Sequence, residues 1–467
     1  MALKHNLLLA FYGDDFTGST DALEFLTLAG AKTMLFLKDP TPELLQQFEN
    51  LDAIGVAGMT RATTPSEMKE ILSESFQVLK ALQPKHVHYK VCSTFDSSKE
   101  IGNIGTAIET GLSIFNNAFT PILVAAPNLG RYSAFGNLFA KMGIGSTGEI
   151  FRLDRHPSMQ NHPITPAYES DLMKHLSLQT ETEMGLIDVT DLEQPLSFIE
   201  KKIAHLIASG KQIIFFDAMY EYQMKIIGQV LEGLTPKNLP LFSVGSSGIE
   251  KSLGDFWKTQ HLIQNANLNE AQLEPCAPLL VLSGSVSPIT AAQINWAVEN
   301  GFKEIAISPE LLNDSPEAQD VIQNCQAQLV SYLKQGTSVI MHTAKGPNDP
   351  RVKQSKAYFR SQGLDEMAIR SQTAVVFGGI LGQIAKAALL EIPIKRLVIA
   401  GGDTSSYVAR ALDIVAVQMI ASVYTGAPIC KAYAPNSPVH HIEVNLKGGQ
   451  VGDQFYFKAI EQGQKIS

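Results

Sequence analysis

Leu7-Leu8-Leu9-Ala10-Phe11-Tyr12-Gly13-Asp14-Asp15-Phe16-Thr17-Gly18-Ser19-Thr20-Asp21 is the stretch whose reading decides the fold. Its unbroken apolar run, Leu7 to Phe11, suits a strand buried on both faces. A helix is expected from about Thr20 to Gly30, a residue that commonly caps a helix C-terminus. Between strand and helix lie two carboxylates, hydroxyls and two glycines. In an open α/β sheet such a turn sits at the carboxyl edge of the strands, where ligands bind. Asp14 and Asp15 could instead only cap the helix, since carboxylates favour its positive end. One aspartate suffices for a cap, so the pair points to chemistry.

Further apolar runs follow at Thr33–Leu37, Ala53–Ala57, Val87–Val91, Ile122–Ala126, Ile213–Phe216 and Leu241–Val244, with helical stretches between them. That alternation predicts βαβ units and a mostly parallel sheet. The residues after each run are small, polar or charged: Gly58-Met59-Thr60-Arg61, Cys92-Ser93-Thr94-Phe95-Asp96-Ser97, Pro127 to Arg131, Asp217, and Gly245-Ser246-Ser247-Gly248. They gather at one sheet edge, as a binding site of this architecture requires. The connection from about Met142 to Thr180, rich in prolines and histidines, fits the alternation poorly. It reads either as a lid with substrate contacts or as a rigid surface excursion.

At 467 residues the chain exceeds what one hydrophobic core serves, so two domains are expected. Residues 264–278 turn polar and proline-bearing, which places the boundary there and divides the chain into 1–270 and 271–467. No apolar run of membrane-spanning length is read, and the N-terminus lacks a signal-peptide cleavage pattern, so a cytoplasmic protein is expected. Cys92, Cys276, Cys325 and Cys430 are far apart and read as reduced thiols, and no ligand spacing supports a zinc site. The net charge of −9 argues against a nucleic-acid surface.

The second half repeats the alternation at Leu279–Leu282, Glu304–Ile307, Ser338–Met341, Arg396–Ala400, Cys430–Tyr433 and His441–Leu446. Its strand ends are rich in hydroxyls and glycines: Ser283-Gly284-Ser285-Val286-Ser287 and Gly401-Gly402-Asp403-Thr404-Ser405. Such turns suit a nucleotide held by backbone N–H groups and hydroxyls at helix starts, although two tight βα turns without a ligand would look alike. A third turn, Lys447 to Asp453, could line phosphates through Gly449. Gly143 to Gly148 spells G-x-G-x-x-G, yet Leu138–Met142 before it looks helical where the dinucleotide fingerprint needs a strand. No Walker A loop or G-x-S-x-G elbow is present.

Gly13 to Ser19, Lys90 to Thr94, Gly245 to Gly248, Ser283 to Ser287 and Gly401 to Ser405, in this order and spacing, resemble the four-carbon acid sugar kinase family over nearly the whole chain. The resemblance implies an acid-sugar-binding N-terminal domain, a nucleotide-binding C-terminal domain and phosphoryl transfer in the cleft between them. It places substrate near Asp14, Asp15, Arg61, Lys90, Ser93 and Thr94, and ATP near Ser283, Gly402, Asp403 and Thr404, with Ser285, Gly401 and Gly449 beside them. The family usually reads K-x-D-S-T-x-R-G where this chain has Lys90-Val91-Cys92-Ser93-Thr94-Phe95-Asp96-Ser97. That departure makes Asp96 either a substrate contact or only a cap of the next helix, and the variant resembles a branch associated with 3-oxo-isoapionate.

The expectation is therefore an α/β protein of two domains, each a mostly parallel sheet flanked by helices, acting as an ATP- and Mg²⁺-dependent kinase of a sugar acid or oxo-sugar acid. Asp15 is given the role of base, with Asp14 orienting substrate or holding Mg²⁺ through water, roles the pair could also exchange. Arg61 and Lys90 would hold the substrate carboxylate. Competing readings are a non-catalytic metabolite sensor and an NAD-dependent sugar-acid dehydrogenase. The partner is a small molecule, with neither nucleic acid nor membrane, and a homodimer is left open.

Overall fold

The computed structural model describes residues 7–142, 148–160, 165–264, 273–313 and 315–465, with the Asp403 side chain left aside. The chain divides into two compact units, Met1–Ala266 and Asn267–Ser467.

In the first unit eight strands form one parallel sheet. In chain order they are β1 (Leu9–Gly13), β2 (Thr33–Phe36), β3 (Ala53–Ala57), β4 (His86–Lys90), β5 (Thr120–Leu123), β9 (Met184–Ile187), β10 (Ile213–Phe216) and β11 (Leu241–Gly245). Their spatial order is β2-β3-β1-β4-β11-β5-β10-β9. Every pairing among them is parallel, with Phe11 of β1 opposite Gly55 of β3 and His88 of β4. All five residues of β1 are buried, as its apolar run requires. Gly55 is needed for packing: a Cβ there would lie 2.0 Å from the Phe11 ring.

The helix Phe16–Ala29 starts earlier than expected, because Asp15 itself is the N-cap, and it ends at Gly30 in the left-handed conformation. Leu138–Met142, read as helical, is instead strand up to Lys141. The segments β6 (Arg131–Ala134), β7 (Asn137–Lys141) and β8 (Ile150–Arg152) make a small antiparallel sheet. The turn Phe135-Gly136, both residues at positive φ, reverses the chain between β6 and β7. The G-x-G-x-x-G match lies outside the described residues except for Gly148.

The second unit places β12 (Leu280–Ser283), β13 (Lys303–Ala306), β14 (Val339–His342), β15 (Arg396–Ala400), β16 (Ala416–Ala421), β17 (Ile429–Tyr433) and β18 (Glu443–Lys447) in the order β13-β14-β12-β15-β18-β17-β16. The first five are parallel, and β17 and β16 add on antiparallel. Strand β16 had no counterpart among the expected apolar runs. One face of the sheet packs a core that includes Val281, Ile294, Phe302, Ile340, Val398 and Tyr456.

One helix, Glu366–Glu391, is long and apolar enough to cross a membrane by length and composition, which corrects the reading that no run reaches this length. It packs against the helices Asp403–Ala411 and Pro316–Lys334 and is more than half buried, so it serves as a core helix.

Candidate functional site

In the first unit the sheet order sets β1 between β3 and β4, so three strand-end turns become neighbours. Backbone bonds tie them together: Asp14 N–H to Lys90 O at 2.8 Å, Gly58 N–H to Gly13 O at 2.9 Å and Arg61 N–H to Asp14 O at 3.0 Å. The side chains follow. Arg61 donates through Nε to Asp14 Oδ2 at 3.0 Å, through Nη2 to Asp14 Oδ1 at 2.9 Å and through Nη1 to Asp15 Oδ2 at 2.7 Å. Asp15 Oδ1 accepts from Gly18 N–H at 2.8 Å, capping the helix. The capping and functional readings of the pair thus meet in one side chain.

Asp14 is buried, and burial raises its pKa although Arg61 pulls the other way. For Arg61, burial works against the charge, yet Asp14 and Asp15 hold its pKa well above the ordinary value. Lys90 is 2% exposed and has Asp21 Oδ2 at 3.8 Å as its ion-pair partner. Its ammonium sits against the first turn of the helix, where a Cβ on Gly18 would lie 2.6 Å from Nζ. Burial opposes the Lys90 charge, and Asp21, Asp15 and Asp14 outweigh it, raising the pKa. Asp21, missed in the sequence, is pushed up by burial to about 6.

The turn after β4 supplies the rest. Cys92 Sγ lies 2.9 Å from Thr94 Oγ1, and burial pushes the thiol up to about 11, so it is no nucleophile at neutral pH. Ser93 is half-buried. Asp96 contributes its charge to Arg61, Cys92 and Arg131, and its Oδ1 is buried without a hydrogen-bond partner. Beside it lies a narrow crevice with room for about one water molecule, lined by Thr94, Asp96, Thr165, Glu169 and His175 among others. His175 Nε2 lies 2.9 Å from Ser97 Oγ. The Met142–Thr180 connection therefore meets the predicted substrate turn through His175, which the sequence did not single out.

Below these turns lies a buried polar cluster that also escaped the sequence reading. Glu250 is fully buried with neither carboxyl oxygen hydrogen-bonded, and His88 Nε2 is 3.7 Å from its Oε1. Burial pushes Glu250 up to about 8 and His88 down to about 3, so both are neutral at pH 7.

In the second unit the turns after β12, β15 and β18 are neighbours in the same way. Gly401 N–H donates to Lys447 O at 2.9 Å, and a Cβ on Gly449 would lie 2.7 Å from Ser285 Oγ. Ser283 is buried at the end of β12, and Gly284 is pressed against Thr404, 2.2 Å from where a Cβ would stand. Gly402 has no atom within 4 Å of where its Cβ would stand, and it precedes the helix Asp403–Ala411, at whose N-terminus no described side chain caps the backbone. This is a cradle of backbone donors, hydroxyls and glycines, fit for phosphates.

Two family models match the chain, one in each half. A sugar-binding N-terminal domain matches residues 9–253, and a nucleotide-binding C-terminal domain matches residues 280–457. The chain belongs to the four-carbon acid sugar kinase family. A relative in this kinase family, the 3-oxo-isoapionate kinase of Paraburkholderia graminis, is 36% identical over 459 residues, covering 98% of this chain and 95% of that protein. The 3-oxo-tetronate kinase of Pseudomonas savastanoi pv. phaseolicola is 29% identical over 462 residues, covering 97% of each. A solved Salmonella typhimurium LT2 protein shares the fold, with a TM-score of 0.75 at 23% identity over 97% of this chain and 98% of that one. This member of the acid sugar kinases is an ATP-dependent sugar-acid kinase.

Proposed function

We propose that this kinase phosphorylates a hydroxyl of a branched, oxo-bearing sugar acid of the 3-oxo-isoapionate kind in preference to threonate or erythronate. The observation that carries the reading is Asp96: an acid with an unpartnered buried oxygen stands beside a crevice, where the family pattern has an arginine. A carboxylate there repels a second anion and accepts hydrogen bonds from hydroxyls, so it favours a substrate with an additional hydroxylated arm. The 36% identical relative carries the corresponding name.

Residues 1–270 are assigned to the sugar acid and 271–467 to ATP. Lys90 and Arg61 hold the substrate carboxylate; three of the five Arg61 N–H donors go to the aspartates, which leaves two for substrate. Asp15 accepts the proton of the attacking hydroxyl, and its cap and its bond to Arg61 fix its position. Ser93 and Thr94 bond substrate oxygens, and Ser283, Ser285, Gly401, Gly402, Asp403, Thr404 and Gly449 cradle the phosphates. Among the described residues no three His, Cys, Asp or Glu side chains gather into a metal cage. Asp14 would hold a magnesium ion through water, and the ion would supply charge that offsets the ATP phosphates. A cytoplasmic site of action, with ATP at hand, fits this reaction.

A panel of sugar acids in an ADP-release assay tests the reading. The expected outcome is kcat/KM at least about tenfold higher for the branched oxo acid than for threonate or erythronate. Equal or better use of threonate would overturn the substrate choice, and stabilisation by NAD but not by Mg-ATP would favour the dehydrogenase.

A further inference from the structure

Among the described side chains of the second unit, one buried lysine has no carboxylate to answer it. Lys447, the last residue of β18, is 0% exposed. Its Nζ donates to Thr290 Oγ1 at 3.1 Å and to Gly448 O at 3.0 Å, and it lies 5.5 Å from the centre of the Tyr456 ring. Thr290 Oγ1 spends its own proton on Gly449 O, at 2.8 Å. The polar side chains bonded around it are neutral, and of the charged groups on the neighbouring elements Arg396 pairs with Glu443 and Lys458 with Glu461. Gln293, one turn after Thr290, donates to Val451 O and Asp453 O, and Tyr456 Oη donates to Asn445 Oδ1 at 2.9 Å. Asp453 is exposed, and its Oδ1 accepts from Phe455 N–H. Among the described side chains, Lys447 has no ion-pair partner.

Its position sharpens the anomaly. The Lys447 carbonyl is bonded to Gly401 N–H, its neighbour Gly449 abuts Ser285, and Thr290 stands in the first turn of the helix Pro288–Glu299. The amine therefore lies beneath the meeting point of the three glycine- and serine-rich turns, at the positive end of a helix, where a cation is disfavoured. Burial pushes its pKa down to about 7. Desolvation, a missing counter-ion and an unfavourable helix end would all be relieved by one anion placed in the turns.

We propose that Lys447 is the phosphate-binding cation of the nucleotide site, and that it takes up a proton as the nucleotide arrives. The proposal rests on the reading of this unit as the ATP-binding half. The empty site holds the amine partly neutral, and the phosphate supplies the charge partner that protonates it.

Calorimetric titration of the full-length protein with ADP, at about pH 8 in buffers of different ionisation enthalpy, tests this without turnover. Wild type is expected to take up a large fraction of one proton at pH 8; at pH 6, where the lysine is already charged and the ADP phosphate itself carries part of a proton, uptake should vanish or give way to a net release. Lys447→Met should weaken ADP binding by about a hundredfold while leaving adenosine within about threefold. Lys447→Arg, whose charge does not titrate in this range, should keep measurable ADP affinity but abolish the proton uptake. Equal ADP affinity in folded Lys447→Met, or the same proton uptake in Lys447→Arg as in wild type, would overturn the proposal and leave the nucleotide site standing. A wild type that binds no ADP would overturn the nucleotide reading itself.

Discussion

Arg61 clamps Asp14 with two parallel bonds, Nε to Oδ2 at 3.0 Å and Nη2 to Oδ1 at 2.9 Å, while Nη1 reaches Asp15. A planar fork that bridges two adjacent aspartates both neutralises a buried acid and fixes the candidate base. Lysine cannot reproduce that geometry. Arg61→Lys should therefore lower stability by about 1–3 kcal/mol and raise KM for the sugar acid. Denaturant melts with steady-state kinetics check both, and unchanged values in each would show that the fork does not matter.

Asp15→Asn separates charge from capping. Asparagine caps a helix about as well as aspartate, so the cap should survive and the melting temperature should fall only by what the bond to Arg61 contributes. Turnover should fall by roughly two to four decades with ATP affinity unchanged, since the lost group is the proton acceptor. Near-normal turnover would transfer the base role to Asp14.

Two glycines in the nucleotide cradle should behave oppositely. Gly402 has φ −81° and open space around its missing Cβ, so Gly402→Val should fold normally and lose ATP affinity by at least about tenfold. Gly284→Ala puts a methyl 2.2 Å from Thr404 and should lower the melting temperature. Thermal melts with and without ATP distinguish them; loss of stability in Gly402→Val would make that turn structural.

Glu250 predicts a pH dependence of stability. Its folded pKa of about 8 lies above the ordinary 4.5, so the folded state holds a proton that the unfolded chain releases. The stability linked to it is fully present below about pH 4.5 and is lost as pH rises through 8. Glu250→Gln should flatten the decline between pH 5 and pH 8, measured by denaturant unfolding. An unchanged slope would mean that Glu250 is ionised in the fold.

Asp96 should read the substrate. Asp96→Ala is expected to reduce kcat/KM for the branched oxo acid by about ten- to a hundredfold and to leave threonate nearly unaffected. A small, uniform effect across a panel of acids would mean that Asp96 does not contact the variable part of the substrate.

Much of this was legible in the chain because it is local. The run Leu7–Phe11 specifies a doubly buried strand, Gly30 ends its helix, and Gly401-Gly402 opens a helix without a side chain in the way. The family resemblance drew on the same short segments. Leu138–Met142 misled because five residues before a hairpin carry too little periodicity to separate strand from helix, and β7 is set by its partners β6 and β8.

The pairings that make the site are of another kind. Arg61 meets Asp14 across 47 positions, His175 meets Ser97 across 78, and Lys447 meets Thr290 across 157. Each depends on which strands become neighbours and which connection folds back on them. Apolar periodicity declares that a strand is buried but not beside which strand, so the sequence by itself determined most of the buried parallel strands, the two-part division and the types of residue at their ends. Only the tertiary structure decided that Asp15 is at once cap and candidate base, that Glu250 and His88 are buried as neutral partners, and that Lys447 lies charge-starved beneath the phosphate cradle. Burial and counter-charge are sums over neighbours distant in the chain, and those neighbours exist only once the sheet order is set.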